Sequence, residues 1–219
     1  MSNEDQPDKE QPKALTTKEE VLDLIDSIFP QDLDGLDPFR YIANPEVMSN
    51  ARRIFTIINR LPQELKPFNN YTIVLVDDEI TGTGNTFMDK FVKIFLEGIA
   101  GASVITFSSS EKAIGEALKL PIKNENPVIF ITDYNMPQMD GIKLLTNFFK
   151  RNHNGIDLIN SFVPILLTSS SQLNGSSTPI RAKAMEGGAT YIPKGSGTEM
   201  LLKILIVVNG VKRQKRDEA

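Results

Sequence analysis

Acidic residues follow the first long apolar run of the sequence. The stretch IVLVDDEITGTGNT at 73–86 places Asp77 and Asp78 directly after the apolar residues and before a turn rich in glycine and threonine. Two kinds of chemistry suit this pattern. Neighbouring carboxylates can hold Mg2+ for phosphoryl transfer, whereas two acids and a Thr/Gly loop can also bind the ribose hydroxyls and the phosphate of a sugar pyrophosphate. This stretch alone does not decide between them.

Polar residues with related chemistry follow three further apolar runs. Asp133 follows VIFIT, Thr168 follows VPILL, and Pro193-Lys194 follows ATYI. Because functional groups gather at the carboxyl ends of the strands in an open parallel sheet, we expect these side chains to converge with the first acidic pair. Clustered carboxylates repel one another unless a cation lies among them, and oxygen ligands suit Mg2+. An ammonium group and a hydroxyl opposite them could stabilise a phosphoryl group during its transfer.

Five short apolar segments are the predicted strands that position these residues. They are rich in Val, Ile and Phe, as strands covered on both faces should be. The predicted strands span 72–76, 102–107, 128–132, 162–167 and 189–192, and helical patterns follow them near 85–98, 110–119, 139–151, 178–187 and 198–209. In the first helical pattern, Phe87, Phe91, Val92, Phe95 and Ile99 share one face. This alternation predicts an α/β fold with a doubly wound, five-stranded parallel sheet.

The first 70 residues show no evident strand and a different organisation. Residues 1–14 are charged and contain proline, which predicts a disordered tail, and residues 15–70 are predicted to form a helical extension of two helices. The sequence TKEE starting at Thr17 has the spacing of a capping box. The second helix is predicted to be capped by Asn44, to begin at Pro45 and to end before Pro62.

The last helical segment contains the run LLKILIVV, which is apolar nearly all round. A helix of this kind is expected to bury two sides. We expect one side to lie on the sheet and the other on helix 46–61, either of the same chain or of a second copy. The basic and charged residues 212–219 are predicted to form a C-terminal tail.

Composition excludes several classes of protein. The net charge of -4 is unlike that of a general nucleic-acid-binding surface. With 0 Cys the chain has no disulfide and no thiolate metal site. The first residues lack the apolar segment of a secretory signal, and the most apolar run is too short to span a bilayer. These features predict a cytoplasmic protein with no membrane insertion.

The order of these motifs resembles a response-regulator receiver domain across residues 71–211. The most specific part is DYNMPQMDG at 133–141, which is similar to the pattern D-x-x-M-P-x-M-D-G around the phospho-acceptor of that family. VDDE, the Thr after the fourth strand and the Tyr-x-x-Lys after the fifth occur in the order that the family has. The resemblance implies a flavodoxin-like sheet with strand order 2-1-3-4-5. Because only about ten residues follow the last helical pattern and the extension has no basic recognition face, we expect a stand-alone receiver without a DNA-binding output domain.

The resemblance assigns roles to individual residues. Asp133 would accept a phosphoryl group from a histidine kinase or a histidine phosphotransfer protein, and Lys194 would contact that group. Thr168 and Tyr191 would form the switch pair. The Mg2+ ligands would be Asp77, Asp78, Asp133 and the backbone carbonyl of Asn135. Such a protein is not a conventional enzyme, because it catalyses only its own phosphorylation and dephosphorylation, and it signals through a downstream protein target.

Some features stay open at the level of sequence. The family has Lys-Pro where this chain has Pro193-Lys194, so the conformation of the peptide bond before the proline is undetermined. A receiver does not need the GTGNT turn; Gly82 and Gly84 are expected to shape the backbone before a helix capped near Asn85. The alternatives are a receiver-like scaffold that does not use phosphate and a phosphoribosyltransferase built on VDDEITGTGNT. A homodimer through the last helix or the extension is a further expectation.

Overall fold

The strands assemble into one parallel sheet in a computed structural model of the chain. The structure describes residues 15–27, 45–117, 119, 128–150, 162–169 and 177–217. The strands are β1 (Thr72–Val76), β2 (Ser103–Phe107), β3 (Val128–Asp133), β4 (Phe162–Thr168) and β5 (Thr190–Pro193). Their order in the five-stranded sheet is β2-β1-β3-β4-β5, and every neighbouring pair is parallel. The predicted flavodoxin-like strand order is confirmed.

Helices connect the strands and cover both faces of the sheet. The helices of the described residues, with those of the extension, are α1 (Lys18–Asp26), α2 (Pro45–Ile58), a short 3-10 helix (Gln63–Leu65), α3 (Phe87–Lys90) continued by a π-helix (Phe91–Ile99), α4 (Ser110–Ala117), α5 (Gly141–Lys150), α6 (Ser177–Glu186) and α7 (Gly197–Asp217). Side chains that alternate along the strands point to opposite faces, so the core has two parts. One part packs the strands against the π-helix, α7 and the extension. The other packs them against α4, α5 and α6.

The predicted end of the last helix and one predicted face were wrong. The helix after β1 is capped by Thr86, next to Asn85 as expected, but its larger part is π-helical, with the amide of Ala100 donating to the carbonyl of Phe95 at 2.9 Å. Apolar periodicity does not separate an α-helix from a π-helix. Phe87 does not share the buried face, because it stands at the very start of the helix and is 46% exposed. Helix α7 runs on to Asp217, beyond the predicted end at 209.

The helical extension packs on the last helix of the same chain. Ile54 and Ile58 of α2 and Val21 and Ile25 of α1 are buried in the same core as α7. Between Met200 and Val208 every side chain of α7 is buried, including Lys203. The expectation that α7 buries two sides is therefore met within one chain, since the sheet covers one side and α2 the other. A second copy could reach these apolar residues only by displacing the extension.

The starts of both extension helices follow their sequence signals. Thr17 accepts a hydrogen bond from the amide of Glu20, and the Glu20 carboxylate accepts from the Thr17 amide, so the predicted capping box is present. Helix α2 begins at Pro45 as predicted and ends at Ile58, three residues before the predicted Leu61. The predicted cap Asn44 and the predicted disordered tail 1–14 lie outside the described residues.

None of the helices in the described ranges has the length and the apolarity that crossing a bilayer requires.

Candidate functional site

The acidic pair lies in a tight turn at the carboxyl end of β1. The amide of Asp77 donates to the carbonyl of Phe107 in β2 at 3.0 Å, which extends the sheet by one bond. The Asp77 carboxylate is fully buried and accepts from the amide of Glu79 at 2.9 Å. The Asp77 carbonyl accepts from the amide of Ile80 at 3.1 Å, which closes the turn. Asp78 is exposed, so the two acids have different surroundings.

Asp133 ends β3, next to β1 in the sheet. Its carboxylate accepts from the amide of Asn135 at 3.0 Å, and the following amide, of Tyr134, donates to the carbonyl of Leu167 in β4 at 2.8 Å. A Cβ added at Gly141 would overlap the backbone carbonyl oxygen of Asp133. Helix α5 can therefore start directly against the end of β3 only with glycine at this position. The turn after Asp133 is fixed by this close approach of two backbone segments.

Lys194 joins the two buried carboxylates. Its Nζ lies 2.9 Å from Oδ2 of Asp77 and 2.9 Å from Oδ1 of Asp133. The Lys194 side chain is 16% exposed, so water screens these ion pairs little. The backbone amide of Lys194 donates to the carbonyl of Thr168 at 2.7 Å, which holds the start of the lysine loop, residues 194–196 between β5 and α7, against β4. No cis peptide bond occurs among the described residues, and these include Pro193.

The charges of the three residues act on one another. Burial raises the pKa of the Asp133 carboxyl above its ordinary value, and the neighbouring Lys194 ammonium opposes this rise without cancelling it. Burial lowers the pKa of Lys194, but the carboxylates of Asp77 and Asp133 outweigh burial, so the pKa of Lys194 lies above its ordinary value. The ammonium is therefore held in its charged form, and two carboxylates share one positive charge.

The predicted switch residues are joined directly. The hydroxyls of Thr168 and Tyr191 lie 2.8 Å apart and share a hydrogen bond, and both residues are buried. Thr168 ends β4, beside the strand that carries Asp133, and Tyr191 lies in β5 within the core that includes α5 and α6. A change at the Thr168 hydroxyl would thus reach a buried aromatic ring without an intermediate residue.

The side-chain atoms that could hold the predicted Mg2+ are carboxylate oxygens at the ends of β1 and β3. Among the described residues, no group of three or more acidic or histidine side chains is arranged to hold a metal ion. Mg2+ does not need such a cage, because it keeps several waters and is bound by one or two carboxylates together with substrate phosphates. Asp77 and Asp133 offer two carboxylates against the single ammonium of Lys194. Oxygen ligands with an excess of negative charge fit Mg2+.

The other two predicted ligands lie beside this pair of carboxylates. Asp78 follows Asp77 on the exposed side of the turn, and Asn135 is exposed two residues after Asp133. The structure therefore brings the predicted site residues to one edge of the sheet. Their roles in metal binding and in phosphoryl transfer remain predictions.

One residue of this region was missed at the level of sequence. Asp89, in α3, sends its carboxylate back into the GTGNT turn, where it accepts hydrogen bonds from the amides of Thr81, Gly82 and Gly84. Both glycines have a positive φ, 71° and 78°, which agrees with their expected role in shaping the backbone before the helix. The spacing of Thr86 and Asp89 is that of a helix cap followed by an acid at the third position, and this signal could have pointed to Asp89.

Comparisons with known proteins give similarity in structure but not in sequence. No protein-family model and no curated protein matches the chain. A signal receiver domain of an HD-domain-containing protein from Pseudomonas fluorescens Pf-5 matches with a TM-score of 0.47 and 19% identity, over 68% of this chain and 93% of that one. A response regulator receiver domain protein from Clostridium thermocellum matches with a TM-score of 0.44 and 24% identity, over 67% and 98%.

A third similar structure is the chemotaxis response regulator CheY4 of Vibrio cholerae, with a TM-score of 0.43 and 23% identity, over 62% of this chain and 95% of that one. At this level of similarity, the strand order and the parallel pairing described above decide the fold. The fold is flavodoxin-like. In this flavodoxin-like domain the acidic residues lie at the carboxyl ends of β1 and β3, where ligands bind in open α/β sheets.

Proposed function

We propose that the protein is a response-regulator receiver that accepts a phosphoryl group on Asp133. The observation that carries the proposal is the position of Lys194, whose ammonium lies 2.9 Å from the carboxylates of both Asp77 and Asp133. A carboxylate is a known acceptor in covalent phosphoryl chemistry. A fixed cation beside it suits a reaction that brings further negative charge to the same place.

The proposed reaction is a displacement at phosphorus. A carboxylate oxygen of Asp133 forms the new bond to phosphorus, and the bond to the donor nitrogen or oxygen breaks, with its electron pair leaving on the donor. Lys194 balances part of the charge of the transferred group. Asp77, Asp78, Asp133 and the carbonyl of Asn135 are the residues that would hold Mg2+. When bound, Mg2+ neutralises phosphoryl oxygens and helps to orient them.

The switch is proposed to begin at Thr168. Its hydroxyl has a single hydrogen, and in this structure it is bonded to Tyr191 at 2.8 Å. If Thr168 donates to a phosphoryl oxygen, Tyr191 must become the donor in the bond between the two hydroxyls. This exchange would alter the position of a buried ring and so change the surface that a downstream protein contacts.

The proposed partners follow from this chemistry. The phosphoryl donor is a histidine kinase or a histidine phosphotransfer protein, and the output is a protein contact in the cytoplasm. The phosphoribosyltransferase alternative has less support, because the amides that would have to bind a phosphate already bind the carboxylate of Asp89. The scaffold alternative differs from our proposal only in whether phosphate is used, so the same experiment separates the two.

The test uses the full chain with acetyl phosphate and MgCl2. We expect intact-mass spectrometry to show one added phosphoryl group on the wild-type protein and none on Asp133→Asn. Asp140→Asn is the matched control, because Asp140 lies in the same turn but caps α5 by accepting from the amide of Lys143 at 2.9 Å. Full uptake by Asp133→Asn would contradict the acceptor, and no uptake by the wild type from any donor would favour the scaffold.

A further inference from the structure

The GTGNT turn is organised around a buried carboxylate of its own chain. Oδ1 of Asp89 accepts from the amides of Thr81 and Gly82, each at 3.1 Å. Oδ2 accepts from the hydroxyl of Thr81 at 2.7 Å and from the amide of Gly84 at 3.2 Å. A typical helix-capping side chain satisfies one or two amides, whereas this carboxylate binds three amides and a hydroxyl. Asp89 thus fills the space that the turn encloses.

The burial and the charge of Asp89 both indicate that its carboxylate is firmly held by the turn. Asp89 is only 7% exposed. The hydroxyl of Thr81 is the largest cause that lowers the pKa of Asp89; burial raises this pKa, and the amides of Gly82 and Thr81 add to the lowering. The net result is a pKa well below the ordinary value, so Asp89 is ionised at neutral pH. A charged acceptor makes each of these hydrogen bonds stronger than a neutral one would be.

The turn held by Asp89 continues directly into the acidic turn. Ile80 stands between them, and its side chain is buried in the core. On one side of Ile80, its own amide donates to the Asp77 carbonyl at 3.1 Å. On the other side, the amide of Thr81 donates to Asp89. The segment from Asp77 to Thr81 is therefore held by hydrogen bonds at both ends. Asp78 and Glu79 lie between these two fixed points.

We propose that Asp89 is a positioning residue for the acidic turn, which keeps Asp77 and Asp78 oriented for the cation of the phosphoryl-transfer site. This inference depends on the proposed function of that site. Asp89 would act through Thr81 and Ile80 without touching the reacting groups itself. Residues that orient metal ligands typically change metal affinity about 10- to 100-fold when they are replaced.

The main variant is Asp89→Asn, which keeps the shape of the side chain. It replaces one acceptor oxygen with an NH2 donor that faces the Thr81 hydroxyl and the Gly84 amide. A milder variant, Thr81→Val, removes only the hydroxyl and leaves the Thr81 amide in place, and it keeps the test decisive if Asp89→Asn does not fold. The control is Glu97→Gln, which removes the same charge from the following π-helix, where Glu97 pairs with Lys93 at 3.0 Å.

Three measurements on the full chain separate positioning from a general loss of stability. Calorimetric titration with MgCl2 alone gives the affinity for the cation. The rate of phosphorylation by acetyl phosphate, measured against MgCl2 concentration, separates half-saturation from the maximal rate. Hydrogen exchange of the peptide that covers 77–84 reports the turn itself and needs neither magnesium nor phosphate.

We expect Asp89→Asn to weaken Mg2+ binding about tenfold and to raise the half-saturating MgCl2 concentration by the same factor. The rate at saturating MgCl2 should stay within about twofold of the wild type, and exchange in 77–84 should become faster. Thr81→Val should show smaller changes in the same direction, and Glu97→Gln none.

Unchanged exchange in 77–84 in Asp89→Asn, or in Thr81→Val if the first variant is not folded, would overturn the inference. Wild-type Mg2+ affinity in a variant whose turn exchanges faster would also overturn it. A wild-type protein that neither binds Mg2+ nor takes up phosphate would instead refute the proposed function, and the exchange data would still decide whether Asp89 positions the turn.

Discussion

The two sides of the site are held by different means. On the acidic side, the turn from Asp77 to Thr81 is held mostly by hydrogen bonds within the segment that ends at Asp89, and the amide of Asp77 adds one bond to Phe107 in β2. On the lysine side, the loop around Lys194 is fixed by distant parts of the chain. The amide of Lys194 bonds to Thr168, and its ammonium reaches Asp77, 117 residues away in sequence. The acidic turn is held mostly by residues close to it in sequence, whereas the lysine side is held by contacts that form only when the domain is folded.

Two side chains of α7 contact the lysine loop and the residue before it. The ammonium of Lys203 lies 3.4 Å from the Pro193 carbonyl, and the carboxylate of Glu199 accepts from the amide of Ser196 at 3.2 Å. Burial lowers the pKa of Lys203, and the charge of Glu199 partly offsets this lowering. Because α7 in turn is covered by α2, the extension indirectly supports one side of the site. This difference between the two sides leads to three predictions.

The largest effect is expected for Lys194→Met. Removing the ammonium leaves the carboxylates of Asp77 and Asp133 buried without their cation, which should lower the free energy of unfolding by about 3 to 5 kcal/mol. Urea unfolding without magnesium measures the change. Lys93→Met is the control, since Lys93 forms an ion pair of similar length with Glu97 but is 82% exposed, and it should cost less than about 1 kcal/mol. Equal effects in the two variants would contradict the difference between a buried and an exposed pair.

A smaller effect, confined to one side of the site, is expected for Ile58→Ala. Ile58, at the end of α2, is fully buried in the core that the extension shares with α7. Its truncation should therefore lower the free energy of unfolding by about 2 to 4 kcal/mol. Hydrogen exchange should become faster in the lysine loop and in α7 while the acidic turn keeps its protection. Ile94→Ala is the control, because Ile94 is 51% exposed and should cost at most about 0.5 kcal/mol. Equal loosening of both sides would show that the acidic turn is not locally held.

The smallest effect is expected for the bond between Thr168 and Tyr191. A double-mutant cycle with Thr168→Val and Tyr191→Phe should give a coupling energy of about 1 kcal/mol, as for one buried hydrogen bond between neutral groups. The two single variants serve as internal controls, and urea unfolding again measures each free energy. A coupling energy near zero would mean that the two hydroxyls do not act together.

Most of the fold could be predicted from the sequence. The five strands are short, apolar and followed by polar residues, and their alternation with helices leaves few arrangements for the sheet. Strand ends were predicted to within two residues in every case, as for β4, predicted to end at 167 and observed to end at Thr168. The helix after β1 was harder, because Phe87 has the right spacing for the core but lies at an exposed helix start. Apolar periodicity indicates which side of a helix is apolar, but it does not indicate how deeply each residue on that side is buried.

The site was predictable where its residues follow strands, and less so elsewhere. Asp77, Asp133, Thr168 and Lys194 are brought to the same edge because parallel strands all end there. Asp89 was missed because it lies within a helix, three residues beyond the end of the GTGNT turn. The spacing of Thr86 and Asp89 indicates a helix cap but does not show that the Asp89 carboxylate turns back into the turn. The role of Gly141 as a point of close backbone approach likewise needs the distance between β3 and α5.

The sequence by itself determined the class of fold, the capping box at Thr17 and the acids that end β1 and β3. These depend on side-chain periodicity and on residues near one another in the chain. Only the tertiary structure placed the Lys194 ammonium between two carboxylates, joined Thr168 to Tyr191 and laid α2 on α7 of the same chain. The physical reason is that hydrogen bonds and ion pairs form over about 3 Å, a distance that depends on how the strands and helices pack.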